Sequence, residues 1–133
     1  MTIQPKVLIV DDEEGIRALA CNVLSRAGVK VLSAEDGKAG IEMFREHHAV
    51  ISAVILDLLM PSMEGEDVFA LLNELDPEVP VIMSSGFDES EVARRFPGTK
   101  PARFLQKPYT ARVLIEAVAA AVKRGRVPGG KAE

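Results

Sequence analysis

Short apolar runs alternate with stretches of helical spacing along this chain, and that alternation limits its fold more than any single motif does. Four runs are rich in β-branched residues and bounded by turn or polar signals: Val7–Val10, Val29–Ser33, Val50–Leu56 and Val79–Met83. A fifth, Arg103–Gln106, is shorter and weaker. Runs this continuous predict strands buried on both faces, as in a parallel sheet. The intervening segments carry apolar residues at helical spacing. Ile16, Leu19, Ala20, Val23, Leu24 and Ala27 form the first stripe, with Gly28 placed to end it. Asp36 is a candidate N-cap for a second helix bearing Ala39, Ile41, Met43 and Phe44. The third spans about Glu64–Leu75 and stops before Pro77. The fourth, about Asp88–Arg95, is short and mostly charged; the fifth runs from Thr110, a candidate cap, to about Lys123. Five β-α repeats with right-handed crossovers predict an α/β fold: a doubly wound, five-stranded parallel sheet with helices on both faces. Residues 1–124 then make one domain, and "RGRVPGGKAE", without periodicity and rich in Gly and Pro, predicts a flexible tail over 125–133.

Composition excludes several classes. A net charge of −4 lacks the concentrated basic face that nucleic acid requires. No apolar run approaches the roughly 20 residues that span a bilayer, and "MTIQPK" lacks the basic and apolar regions of a secretion signal. The single cysteine, Cys21, allows no internal disulfide and no multi-cysteine metal site, so packing is its expected role. The expectation is a cytoplasmic protein.

In open parallel sheets, ligands bind beyond the carboxyl ends of the strands, where the strand order switches. Position in the sequence therefore becomes position in space. After the first run come Asp11 and Asp12, in "VLIVDDEEG"; after the third comes Asp57, in "VILDLLMPSMEG". Ser84 and Ser85 follow the fourth, in "VIMSSGF", and Lys107 follows the fifth, in "FLQKPY". Each has an ordinary reading alone, as a helix cap, a turn or a loop. Together they place three carboxylates, a hydroxyl and an ammonium in one crevice. Clustered acids repel unless a cation offsets them, and a hard divalent ion such as Mg²⁺ takes oxygen ligands and pairs with phosphate. The set suits phosphoryl transfer to a carboxylate, with Asp57 as nucleophile.

These residues carry a resemblance. "VDDEEGIR", "LDLLMPSMEG", "SSG" and "KPY", in this order, resemble the receiver domain of two-component response regulators, over nearly the whole chain to about residue 124. The resemblance implies the flavodoxin-like receiver fold. It implies that Asp57 accepts the phosphoryl group, that Asp12, Asp57 and the Leu59 carbonyl bind Mg²⁺ (or Mn²⁺) directly, and that Asp11 acts mainly through water. Ser85 would be the switch hydroxyl, with Ser84 the alternative, and Lys107 would contact the phosphoryl oxygens. Lys107–Pro108 would be a cis peptide, and Phe104 the rotating aromatic that reports the active state. Ser85 and Gly86 stand where Thr and Ala are more frequent, and Gly loosens the loop. Leu59 and Phe87, two beyond Asp57 and Ser85, flank the phosphoryl position; apolar groups there cannot orient an attacking water, which implies slow self-dephosphorylation.

The implied protein is a signalling module rather than a turnover enzyme, taking its phosphoryl group from a histidine kinase or a histidine phosphotransfer protein. The flank of the first helix around Glu14, Gly15 and Ala18 would face that donor. A surface of the fourth helix, fifth strand and fifth helix would meet an unknown protein partner, with the chain a monomer or a weak phosphorylation-dependent dimer. The wording "SSGFDESE" and "FLQKPYT" also resembles receivers of hybrid kinases. Two other readings remain. A haloacid-dehalogenase-like phosphatase would use the same groups but needs Asp-x-Asp after its first strand, where this chain has Asp11 followed by Glu13 two places on. A degenerate receiver acting as a scaffold would not need the intact acceptor set. His47 and His48 end the second helix away from the strand tips, and Glu13 and Glu14 are read as opening the first helix.

Overall fold

The computed structural model describes residues 4–124. The segment expected to be a tail, 125–133, lies outside the described residues. Five strands and five helices alternate in the order β1 (Lys6–Val10), α1 (Glu14–Arg26), β2 (Lys30–Ala34), α2 (Gly37–His47), β3 (Ala53–Asp57), α3 (Gly65–Leu75), β4 (Val81–Ser85), α4 (Glu89–Ala93), β5 (Arg103–Gln106) and α5 (Ala111–Arg124). A single 3₁₀ turn, His48–Val50, follows α2. All strands pair in parallel, in the order β2-β1-β3-β4-β5. This is the doubly wound (βα)₅ sheet that the alternation predicts.

The sheet divides the core into two layers. One side packs Leu8, Val10, Val54, Leu56 and Met83 against α2, α3 and α4, with Phe44 and Leu72 fully enclosed. The other packs Val7, Ile9, Ile55, Ile82 and Leu105 against α1 and α5, through Leu24, Leu114 and Val118. Adjacent residues of one strand thus serve opposite layers, as strand geometry requires.

Burial on both faces holds for β3 and β4, whose residues are all buried, and nearly for β1. The edge strands β2 and β5 are only partly covered. The strand read as Val50–Leu56 begins later, because its first residues are spent on the 3₁₀ turn and the climb into the sheet. β4 begins at Val81 rather than Val79, since Pro80 has no N–H to give the ladder. Its carbonyl still accepts from Val54 N–H at 3.0 Å. Two caps fall where the sequence places them, at Asp36 and Thr110, and Asp88 adds a third. Asp36 accepts from Ala39 N–H at 2.8 Å, Asp88 from Glu91 N–H at 2.9 Å, and Thr110 from Val113 N–H at 3.2 Å. Gly28 takes a φ of +88° after α1, a left-handed turn that glycine adopts without strain. The helix expected over 88–95 is only the single turn Glu89–Ala93; its one buried side chain, Val92, gives little reason to extend further.

Candidate functional site

The strand order reverses between β1 and β3, and the side chains singled out above meet at the carboxyl ends on that side of the sheet. Asp11 follows β1 directly and Asp57 is the last residue of β3; they are 3% and 4% exposed. Buried ladders on both sides fix their backbones. The Asp11 N–H donates to the Ala34 carbonyl at 3.2 Å, and Leu58 N–H, next to Asp57, donates to the Ser84 carbonyl at 2.9 Å. Asp12 stands beside them but is exposed. One oxygen from each of Asp11, Asp12 and Asp57 lies within 4.8 Å of the others.

Lys107 supplies the counter-charge. Its Nζ lies 3.0 Å from Asp11 Oδ2, 3.0 Å from Glu13 Oε1 and 3.5 Å from Asp57 Oδ1. Burial acts to lower the lysine's pKa, but the bonds to Glu13 and Asp11 and the charges of Asp57 and Asp11 outweigh it, and Lys107 stays firmly cationic. One ammonium does not neutralise the cluster. Burial first, then the Asp11 charge, and then a hydrogen bond with Asp12 push the Asp57 carboxyl up to about 7, against the opposing pull of Lys107 and Leu59 N–H. Burial and a neighbouring carboxylate together hold this carboxyl above its ordinary range. Three convergent carboxylates, one of them open to solvent, fit a hard divalent cation with oxygen ligands.

The remaining residues frame this centre. The Leu59 N–H donates weakly to Asp57 Oδ1 at 3.4 Å, and its side chain is 51% exposed at the mouth. Ser85 Oγ is buried and accepts from Phe87 N–H at 2.9 Å. Ser84 pairs with Asp57 across the ladder; its buried hydroxyl has no hydrogen-bond partner among the described residues. Phe104 is half-buried, packs on the α4 side of the core and lines a groove with Val92 and Phe96. The Lys107–Pro108 peptide is cis. Tyr109, next in the chain, is a neighbour of the centre: burial and then the Asp11 charge raise its phenol pKa.

Gly65 explains part of the motif that ends "PSMEG". A Cβ there would lie 2.6 Å from Leu58 Cα and 2.9 Å from the Asp57 carbonyl oxygen. The start of α3 therefore rests directly on the backbone that carries Asp57, and Gly65 N–H donates to the Leu58 carbonyl at 2.9 Å. A side chain there would collide with backbone atoms, which cannot rotate away.

Several participants escaped the sequence reading. Glu13 stands at the N-cap of α1, but its side chain makes no cap bond and reaches Lys107 instead; only Glu14 lies in the helix's first turn. Arg17, one turn into α1, donates to the Asp11 carbonyl at 2.7 Å. Its place in "VDDEEGIR" was the available signal. Arg95 and Glu66, 29 residues apart, pair at 3.2 Å beside the cleft formed by Asp12 and Leu59. No local pattern joins them.

Comparison with known proteins agrees with this geometry. The profile described as response regulator receiver domain matches residues 7–119. The autoinducer 1 sensor kinase/phosphatase LuxN of Vibrio campbellii is 39% identical over 82 residues, covering 62% of this chain and 9% of that protein. The sensor kinase CckA of Brucella abortus is 30% identical over 112 residues, 84% of this chain and 12% of that protein. The chain thus spans only a small part of the length of these curated relatives. A response regulator receiver domain protein from Clostridium thermocellum superposes with a TM-score of 0.83 at 30% identity, covering 90% of this chain and 95% of that one. Among the described residues, no helix is long and apolar enough to cross a membrane.

Proposed function

The chain belongs to the response regulator receiver domain family of two-component signalling, and from that premise we propose that residues 1–124 form a phosphoacceptor unit that is modified on Asp57 and switches a protein-binding face. The observation that carries this reading is the convergence of a buried Asp57 with Asp11 and Asp12, carboxylate oxygens within 4.8 Å of one another, and with Lys107 Nζ 3.5 Å away. Asp11, Asp12, Asp57 and the Leu59 carbonyl would hold Mg²⁺, with Asp11 acting mainly through water and Mn²⁺ as a substitute. When bound, the ion neutralises carboxylate and phosphoryl charge.

The chain's own groups would do the rest. An Asp57 carboxylate oxygen attacks phosphorus, and the bond from phosphorus to the donor's imidazole nitrogen breaks. The imidazole leaves with the electron pair and takes a proton from solvent. Lys107, already within 3.5 Å of Asp57 Oδ1, pairs with a phosphoryl oxygen. Ser85 gives up its bond from Phe87 N–H and donates to another oxygen. Phe104 then turns into the space released, and the face of α4, β5 and α5 is remodelled for a protein partner. The donor would be a histidine kinase or a histidine phosphotransfer protein, and this chemistry serves signalling rather than turnover of a free substrate. Neither Leu59 nor Phe87 can orient water, so the acyl phosphate is expected to be long-lived.

Intact mass after incubation with acetyl phosphate and Mg²⁺, and separately with a phosphorylated histidine-kinase donor, tests the proposal. The expected result is a single phosphoryl addition that needs metal, is removed by hydroxylamine and is absent from Asp57→Asn. No addition from either donor would overturn it and leave a scaffold. A phospho-form lifetime of seconds would overturn the slow-hydrolysis claim alone.

A further inference from the structure

We propose that Arg95 is a positioning residue for the Ser85 hydroxyl, tethering the β4–α4 loop in the arrangement in which Ser85 accepts from Phe87 N–H. The inference rests on the phosphoacceptor reading above and adds a regulator to it. Ser85 Oγ is engaged by Phe87 N–H at 2.9 Å. The Phe87 ring lies under the Arg95 guanidinium, 5.2 Å from Cζ to the ring centre. The same guanidinium pairs with Glu66 Oε2, in the first turn of α3, at 3.2 Å. Both partners are mostly covered, at 32% and 25% side-chain exposure, so water screens them less than a surface pair. An unbroken series of contacts therefore runs from the switch hydroxyl through Phe87 and Arg95 to α3.

The surroundings give this series leverage. The α4 helix is a single turn with one buried side chain, Val92. Past it, the chain is held by Arg95 on Glu66 and by Phe96 against Phe69 at 5.3 Å, edge to face. Phe96 fastens the segment to the core, and Arg95 joins it to Phe87 in the loop that follows Ser85. Arg95 also lines the cleft shared by Asp12 and Leu59. A shift of Ser85 toward a phosphoryl oxygen would draw on the Phe87 backbone bonded to it, and the Arg95 guanidinium over the Phe87 ring resists that movement. Glu66 sets the strength of that restraint.

The test is the rate of phosphorylation by acetyl phosphate in Arg95→Ala, Arg95→Lys and Glu66→Gln, with hydrogen exchange of the unphosphorylated proteins alongside. Arg95→Ala should raise the rate roughly fivefold, the size expected of losing a half-buried ion pair and a cation–π contact. Removing a cation near an anionic donor would by itself slow the reaction, so an increase is not a charge effect. Arg95→Lys should return most of the way to wild type, and Arg95→Ala with Glu66→Gln should exceed Arg95→Ala alone by little, because the two act as one unit. A rate that is unchanged or lower in Arg95→Ala would overturn the tether and leave an ordinary structural anchor. If wild type takes no phosphoryl group at all, the parent reading fails, and the tether is judged by exchange alone. Phe87 N–H should then exchange several-fold faster in Arg95→Ala, and no change there would overturn it.

Discussion

The two walls of the crevice are built to different standards. The wall formed by β1 and β3 presents Asp11 and Asp57 from strands flanked on both sides and enclosed by two core layers. The wall formed by the end of β4, the loop after it and β5 presents Ser85 and Phe104 beside a one-turn helix and an edge strand. The acceptor wall gains precision from buried ladders and from α3 resting on the backbone beside Asp57. The opposite wall is fastened by a few side chains: Val92, Phe96 and the Arg95 pair. Chemistry needs fixed distances, and a readout needs a segment with two arrangements of similar energy. This sheet encloses its centre and leaves its edge thinly covered.

Core truncation should expose the contrast most strongly. Leu56→Ala in β3, at a fully buried position, is expected to cost about 3–4 kcal/mol. Val92→Ala, equally buried but on a single-turn helix that can settle inward, should cost about 1–2 kcal/mol. Urea unfolding measures both, and equal losses would erase the distinction between the walls.

Glycine replacement sharpens it at the backbone. Gly65→Ala forces a Cβ to 2.6 Å from Leu58 Cα, and the expected loss is about 2–3 kcal/mol together with slower phosphorylation as Asp57 is displaced. Gly86→Ala meets nothing within 4 Å and has no positive φ, so it should be neutral or stabilise by up to about 1 kcal/mol through the unfolded chain. Thermal unfolding of the two variants checks the opposite signs.

The pH dependence of the β1–β3 wall tests the same contrast through a buried charge. In metal-free protein burial and the Asp11 charge hold the Asp57 proton to about pH 7, whereas the unfolded chain releases it near the ordinary carboxylate value of 3.8. The native state therefore binds more protons across that window, and this group's contribution to stability falls as pH rises through it. The difference between wild type and Asp57→Asn, followed by urea unfolding from pH 4 to 8, should isolate that slope. Saturating Mg²⁺ should flatten it, and metal affinity should rise with pH through about 7.

The fold and the candidate site were legible in the sequence for a local reason. Strand and helix periods are written in neighbouring residues, and the rule that ligands gather at carboxyl ends turns Asp11, Asp12, Asp57, Ser85 and Lys107 into one site without any distance being known. Caps at Asp36 and Thr110 were legible because capping spans only a few residues. Strand limits were less so: Pro80 and the 3₁₀ turn after α2 moved the starts of β4 and β3, and the two edge strands proved half-covered because burial depends on place in the sheet.

By itself, then, the sequence determined the α/β alternation, the parallel sheet and the set of groups at its tips, since each follows from residue type and short-range spacing. Only the tertiary structure decided that Glu13 turns from its helix to Lys107, that Gly65 must be bare to sit on the Asp57 backbone, and that Arg95 spans Phe87 and Glu66. Those contacts join residues far apart in the chain, and their energies depend on distance and burial, which no local pattern encodes.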